Sequence, residues 1–156
     1  MRKFLGLFIL LGCVACSTPR HAPRQDAVAD PAMNELVFYA MSLAETDYRY
    51  GGNTPDTGFD CSGFVRHVFR QSLGLTLPRT SLEISRTGYA LDSQPLRPGD
   101  LVFYNTSRQD YSHVGIYVGD RRFVHAPRVG SRVRVENMDL PYWQNRYNGA
   151  RRVSPG

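Results

Sequence analysis

The sequence predicts an α+β domain in which N-terminal helices pack on one side of a central antiparallel sheet of about five strands. Apolar residues recur at helical spacing in the first half of the chain, and short β-rich runs follow Asp100. With 156 residues and 42% hydrophobic content there is room for one modest core, and two domains would be crowded. Helices segregated ahead of a sheet of hairpins is the α+β layout.

The chain opens Met1-Arg2-Lys3, continues with the apolar stretch Phe4 to Leu11, and then places small residues around Cys13 and Cys16. That is the layout of a secretory signal segment, and it falls short of the roughly 20 residues a bilayer span needs. Val14-Ala15-Cys16-Ser17 resembles a bacterial lipobox, in which cleavage before the cysteine leaves its sulfur to carry a lipid. The expected division is a signal peptide at 1–15, a Cys16 anchor with a flexible tether at 16–31, and a folded domain at 32–156. Cys13 in Leu10-Leu11-Gly12-Cys13 is a competing anchor, and a plain secretory signal is a third reading. Ser17 fits sorting to the outer membrane, so the domain is expected in the cell envelope, lipid-anchored and facing the periplasm. The Pro, Ala, Arg and Ser content after Cys16 suits a solvated tether.

The formal charge of +5 falls to +3 without Arg2 and Lys3, and Lys3 is the only lysine. A surplus this small steers acidic partners without selecting one, and no recognition motif for nucleic acid accompanies it. A monomer is expected.

Asp30 is placed as an N-cap and Pro31 at the first helical position, with Met33, Leu36, Val37, Ala40 and Ala44 at helical spacing, so the first helix runs to about Glu45. The glycines and proline of Tyr48-Arg49-Tyr50-Gly51-Gly52-Asn53-Thr54-Pro55 make a loop ending near Asp60. Asp60 caps a second helix that Gly74 stops, so Cys61 sits in its first turn on the side of Phe64, Val65, Val68 and Phe69. Thr80-Ser81-Leu82-Glu83 is a capping box for a short third helix ended by Gly88. Arg97-Pro98-Gly99-Asp100 turns the chain into strands at Leu101–Tyr104, Val114–Val118, Phe123–His125 and Val133–Val135, with Arg151–Val153 as a fifth.

An exported domain ordinarily uses cysteines in pairs, yet Cys61 stands alone after Cys16. A helix N-terminus lowers a thiol pKa, and thiolate is the reactive form. A nucleophilic thiol also needs an imidazole within reach. His21 lies in the tether, and His67 lies about 120° around the helix from Cys61 by helical geometry. His113 and His125 remain, flanking a hairpin whose tip is Val118-Gly119-Asp120. A three-residue loop there pairs His113 directly with His125, puts both on one face, and sends Val114, Ile116, Val118 and Val124 to the other. A two-residue loop would split the histidines. His113 is then expected to take the Cys61 proton while His125 orients its far nitrogen.

Tyr48-Arg-Tyr-Gly-Gly, Asp60-Cys-Ser-Gly-Phe64, Arg97-Pro-Gly-Asp-Leu-Val-Phe103, His113-Val-Gly-Ile-Tyr117 and Phe123-Val-His-Ala126 resemble the NlpC family of cell-wall endopeptidases, from about Met33 to Val153. The resemblance implies a compact papain-like fold, Cys61 and His113 as catalytic dyad, His125 as polar third member, Tyr48 beside the nucleophile, and peptidoglycan stem peptides as substrate. The chemistry would pass through a thioester on Cys61, with the Cys61 backbone N–H as one oxyanion donor and the Tyr48 hydroxyl as a candidate second. No cofactor and no metal are expected, since the short Cys/His spacings of structural zinc sites are missing. Arg79 and Trp143 read as structural or groove-lining. A papain-like amidase or acyltransferase, and a non-catalytic wall-binding module, are the competing functions.

Overall fold

The structure, a computed structural model, describes residues 30–155. The expected signal, Cys13, Cys16, His21 and nearly all of the tether lie outside the described residues. Helix α1 spans Pro31–Ser42, and Asp30 caps it by accepting from the Ala32 N–H at 3.0 Å. It ends earlier than the expected Glu45. The reason is tertiary: the Glu45 N–H leaves the helix ladder and donates to the Val133 carbonyl at 2.9 Å, with Glu45 in the left-handed region.

A ribbon of β1 (Asn53–Thr54) and β2 (Gly58–Phe59) precedes α2 (Cys61–Leu73). Gly74 stops α2 at φ 67°. The Thr80 capping box opens α3 (Ser81–Ile84), as its sequence pattern requires. The remaining elements are β3 (Tyr89–Ala90), β4 (Leu101–Tyr104), β5 (His113–Gly119), β6 (Arg122–His125), β7 (Arg134–Asn137), α4 (Pro141–Gln144) and β8 (Tyr147–Arg152).

The main sheet is antiparallel with order β3-β8-β4-β5-β6-β7. It has six strands where about five were expected. The added strand is β3, a two-residue edge too short to show a period, and β8 enters between β3 and β4. Helices α1 and α2 cover one face, where Leu36, Val37, Ala40, Phe64, Val65, Val68 and Phe69 meet Leu101, Phe103, Val114, Ile116 and Val124. A smaller apolar cluster lies on the other face, where Trp143 of α4 meets Val102, Tyr104, Tyr117 and Phe123.

The hairpin that carries both histidines differs from expectation in a way that preserves its consequence. Its loop is Asp120-Arg121, two residues at φ 50° and 58°, closed by the Gly119–Arg122 pair. Two left-handed central residues form the turn whose twist matches a hairpin. A bulge between Tyr117 and Gly119 then inserts one residue on β5, so the pairs below it are Tyr117–Phe123 and Ile116–Val124. The two-residue loop alone would put the histidines on opposite faces, and the bulge restores the parity. The register is displaced by two residues from direct His113–His125 pairing, which leaves the faces unchanged. Val114, Ile116 and Val124 do pack toward the helices, with Val118 against that cluster.

Continuing the register sets Gly115 against His125, and a Cβ built on Gly115 would lie 2.6 Å from the Phe123 ring and 3.2 Å from His125 Cβ. The missing side chain is what lets His125 lean diagonally toward His113. Gly115→Ala is expected to destabilise the domain by about 1–3 kcal/mol through this overpacking. Urea unfolding beside wild type checks it, and a change under 0.5 kcal/mol would count against this role for the glycine.

Candidate active site

An open cleft of about 520 Å³ is lined by Tyr48, Asp60, Cys61, Arg79, Ser112 and His113, among others. It brings together residues from the loop before β1, the start of α2, the segment before α3 and the start of β5. Cys61 occupies the first helical position because Asp60, extended at φ −90° and ψ 174°, caps α2 by accepting from the Gly63 N–H at 2.7 Å. The helix can approach the loop this closely only because Gly63 has no side chain: a Cβ on Gly63 would sit 2.0 Å from the Gly52 carbonyl oxygen.

The Asp60 carboxylate is the hub of the cleft floor. It also accepts from the Gly51 N–H at 3.0 Å, the Ser62 hydroxyl at 3.2 Å and both Arg79 nitrogens, the shorter at 2.5 Å. Arg79 donates a further bond to Ser62 Oγ at 2.8 Å. The loop, the α2 N-terminus and the chain before α3 are therefore tied to one carboxylate. The sequence predicts a cap at Asp60 and a structural or groove-lining Arg79, and the structure adds the network that joins them. The signal available was the Asp-Cys-Ser triplet at a helix start, whose acidic side chain has more acceptor capacity than one cap uses.

Of the four histidines, two converge. His113 Nε2 and His125 Nδ1 are 2.7 Å apart, with both rings buried and perpendicular at 89°. His113 thus keeps Nδ1 free, and the adjacent Val114 N–H is directed at the Cys61 sulfur. His67 is engaged elsewhere, 2.9 Å from the hydroxyl of Tyr39 on α1. Tyr48 lies in the cleft close enough to Cys61 for a thiolate there to raise its pKa, although burial is the larger cause.

The thiol is not acidified as its helix position predicts. Burial pushes Cys61 up to about 11 and the Asp60 carboxylate pushes the same way, while backbone N–H groups of Val114, Ser62 and Cys61 offset only part. Burial also lowers His113 to about 4, and His125 is lowered by burial and by the neighbouring His113. Desolvation outweighs the helix end here, so the resting pair is a neutral thiol and a neutral imidazole.

These shifts fix the acid behaviour of the fold. Unfolded histidine takes up a proton near 6.5 whereas folded His113 resists until about 4, so the unfolded state binds more protons between those values. Stability is therefore expected to fall as pH drops from about 6.5 toward 4, by ~3 kcal/mol for a shift of this size at 1.36 kcal/mol per unit. Thermal melts across that window check it, and a flat profile would show that folded His113 titrates close to its unfolded value.

Residues 45–152 match the NlpC/P60 family. The murein DD-endopeptidase MepH of Escherichia coli (strain K12) is 38% identical over 136 residues, 85% of this chain and 49% of MepH. MepS of the same strain, a murein DD-endopeptidase/LD-carboxypeptidase, is 47% identical over 106 residues, 68% of this chain and 55% of MepS. The chain thus spans about half the length of these two relatives. The probable endopeptidase NlpC of that strain is 37% identical over 156 residues, covering 98% of this chain and 100% of that protein. Among solved structures, an NlpC/P60 family protein from Bacillus cereus ATCC 10987 superposes with a TM-score of 0.73 at 35% identity, over 80% of this chain and 41% of that one. The matched segment begins just after α1, runs through β8 and so contains the whole cleft, and on these grounds the chain belongs to the NlpC/P60 family.

Proposed function

We propose that the domain is a peptidoglycan endopeptidase that hydrolyses an amide bond of stem peptides or their cross-links, with Cys61 as nucleophile and His113 as general base and acid. The observation that carries this reading is the placement of a free cysteine at a capped helix start in one open cleft with His113, whose far nitrogen is fixed by His125. The murein endopeptidases MepH and MepS among its relatives support the substrate class.

Neutral imidazole carries one N–H, so if His113 accepts the thiol proton at Nδ1, its Nε2–H donates to His125 Nδ1. His113 takes the thiol proton as the sulfur attacks the substrate carbonyl. The Cys61 sulfur bonds to the carbonyl carbon, His113 returns the proton to the leaving amine, and a water activated by His113 hydrolyses the thioester. The Cys61 backbone N–H and the Tyr48 hydroxyl are the donors assigned to the oxyanion. No cofactor enters this scheme.

The same reading places the domain in the envelope, tethered through a lipid on Cys16, or Cys13 if the earlier site is used, and facing the wall as a monomer. Purified sacculi incubated with the domain and analysed by mass spectrometry test the activity. New peptide ends that are absent with Cys61→Ala are expected and would identify the bond. Unchanged muropeptides with a rapidly alkylated Cys61 would move the assignment to an amidase or acyltransferase.

A further inference from the structure

The scheme creates a charge that its neighbours do little to stabilise. When His113 holds the thiol proton it is an imidazolium in a buried site, and a buried cation is costly unless something compensates it. Among the described residues no carboxylate is hydrogen bonded to either imidazole of the pair, and His125 Nε2 has no partner at all. The titratable and charged groups around His113 are Cys61 from α2, the Asp60–Arg79 ion pair in the same cleft, Tyr104 opposite it on β4, His125 from β6, and Arg134 of β7 acting through His125. Of these, the Asp60 carboxylate is already paired with Arg79, and a Cys61 thiolate is consumed as soon as the sulfur attacks.

The remaining neighbour is aromatic. The Trp143 ring stacks on His113 with centroids 5.8 Å apart and planes at 27°, and it meets His125 at 5.1 Å and 86°. Tyr104, Phe123 and Tyr142 pack against the indole at 4.9, 5.0 and 4.8 Å, so its plane is held from several sides. Helix α4 exists largely to present this ring: four residues long, started by Pro141 and lacking a side-chain cap, it has Trp143 as its buried residue.

We propose that Trp143 is a positioning residue of the Cys61–His113 dyad, whose indole face fixes the His113 ring and stabilises its imidazolium where no carboxylate is hydrogen bonded to the imidazole pair. A cation within about 6 Å of an indole face and shielded from water gains enough to bias proton transfer by roughly thirtyfold. The burial that lowers His113 to about 4 is consistent with a site that needs such help. The proposal rests on the peptidase reading for its catalytic meaning, but its test does not require substrate.

Trp143 is the only tryptophan of the chain, so fluorinated tryptophans placed at 143 weaken the ring quadrupole at one site with little change in shape. The readout is the rate of Cys61 alkylation by iodoacetamide at neutral pH, which follows the fraction of thiolate–imidazolium pair. The expected result is a stepwise fall with each added fluorine, reaching about tenfold or more for the most fluorinated ring. In a His113→Ala background the same series should leave the rate unchanged. Trp143→Phe is expected to retain most of the wild-type rate and Trp143→Leu to lose it, although both exclude water. A rate varying less than twofold across the fluorine series, with unchanged circular dichroism, would sink the proposal. So would a parallel fall in the His113→Ala background. Failure of the peptidase reading appears elsewhere, as unchanged muropeptides with the wild-type chain.

Discussion

Cys61→Ala, His113→Ala and the double variant are expected to lose wall hydrolysis by the same factor, on the order of 10⁴-fold or more. The three converge because the two side chains perform one event: without the imidazole the thiol keeps its proton, and without the sulfur the imidazole has nothing to activate. The buried, neutral resting state sharpens this expectation. Burial pushes the Cys61 thiol up to about 11, which makes proton transfer to His113 the route to thiolate. His125→Ala should cost less, about 10²-fold, because the third member orients the base without exchanging the proton itself. Release of muropeptides under single-turnover conditions measures all four. A double variant much slower than either single one would mean that Cys61 and His113 act independently, and the dyad assignment would fail.

Asp60→Ala is expected to produce the largest loss of stability among substitutions in the cleft, about 3 kcal/mol. Loss of the α2 cap accounts for ~1 kcal/mol. Separating a buried ion pair costs 3–5 kcal/mol when neither charge can be rehydrated. Asp60 is nearly buried, but the Arg79 side chain is 41% exposed and can turn toward water, which reduces that penalty. Asp60→Asn keeps an acceptor for the Gly63 N–H and loses only the charge, so it should fall between wild type and Asp60→Ala. Activity should fall in both, since the Gly51 bond that holds the Tyr48 loop over the cleft is weakened or lost. Urea unfolding and muropeptide release on the same preparations check the two effects. An Asp60→Ala variant within 0.5 kcal/mol of wild type would show that the loop and helix are held by other contacts.

Local chemistry made much of this legible. The Asp30 and Asp60 caps, the Thr80 capping box and the Gly74 stop depend on residues within a turn of one another, and all four stand where the sequence places them. The Cys61 position follows from its cap for the same reason. The convergence of His113 and His125 was legible through parity alone: alternation fixes which face a strand residue occupies, and a two-residue displacement of register leaves that face unchanged. The loop is one residue shorter than the glycine at its tip predicts, because a bulge at Tyr117–Gly119 has no local sequence mark as strong as a glycine turn.

Sequence by itself determined the element order, the helix starts, the face shared by the two histidines and, through ordered motifs, the family. Those properties are set by neighbours in the chain or by a period of two or 3.6, which any reading along the chain can follow. Only the tertiary structure decided where α1 ends, since the competing acceptor for Glu45 is a carbonyl in the loop before β7. It also decided that Asp60 gathers Gly51, Ser62 and Arg79, that Trp143 stacks on His113 with the planes at 27°, and that burial overrides the helix end in setting the Cys61 thiol. Each of these depends on residues distant in sequence meeting at a distance of a few ångströms, and desolvation in particular is a property of everything that surrounds a group rather than of the group and its neighbours in the chain.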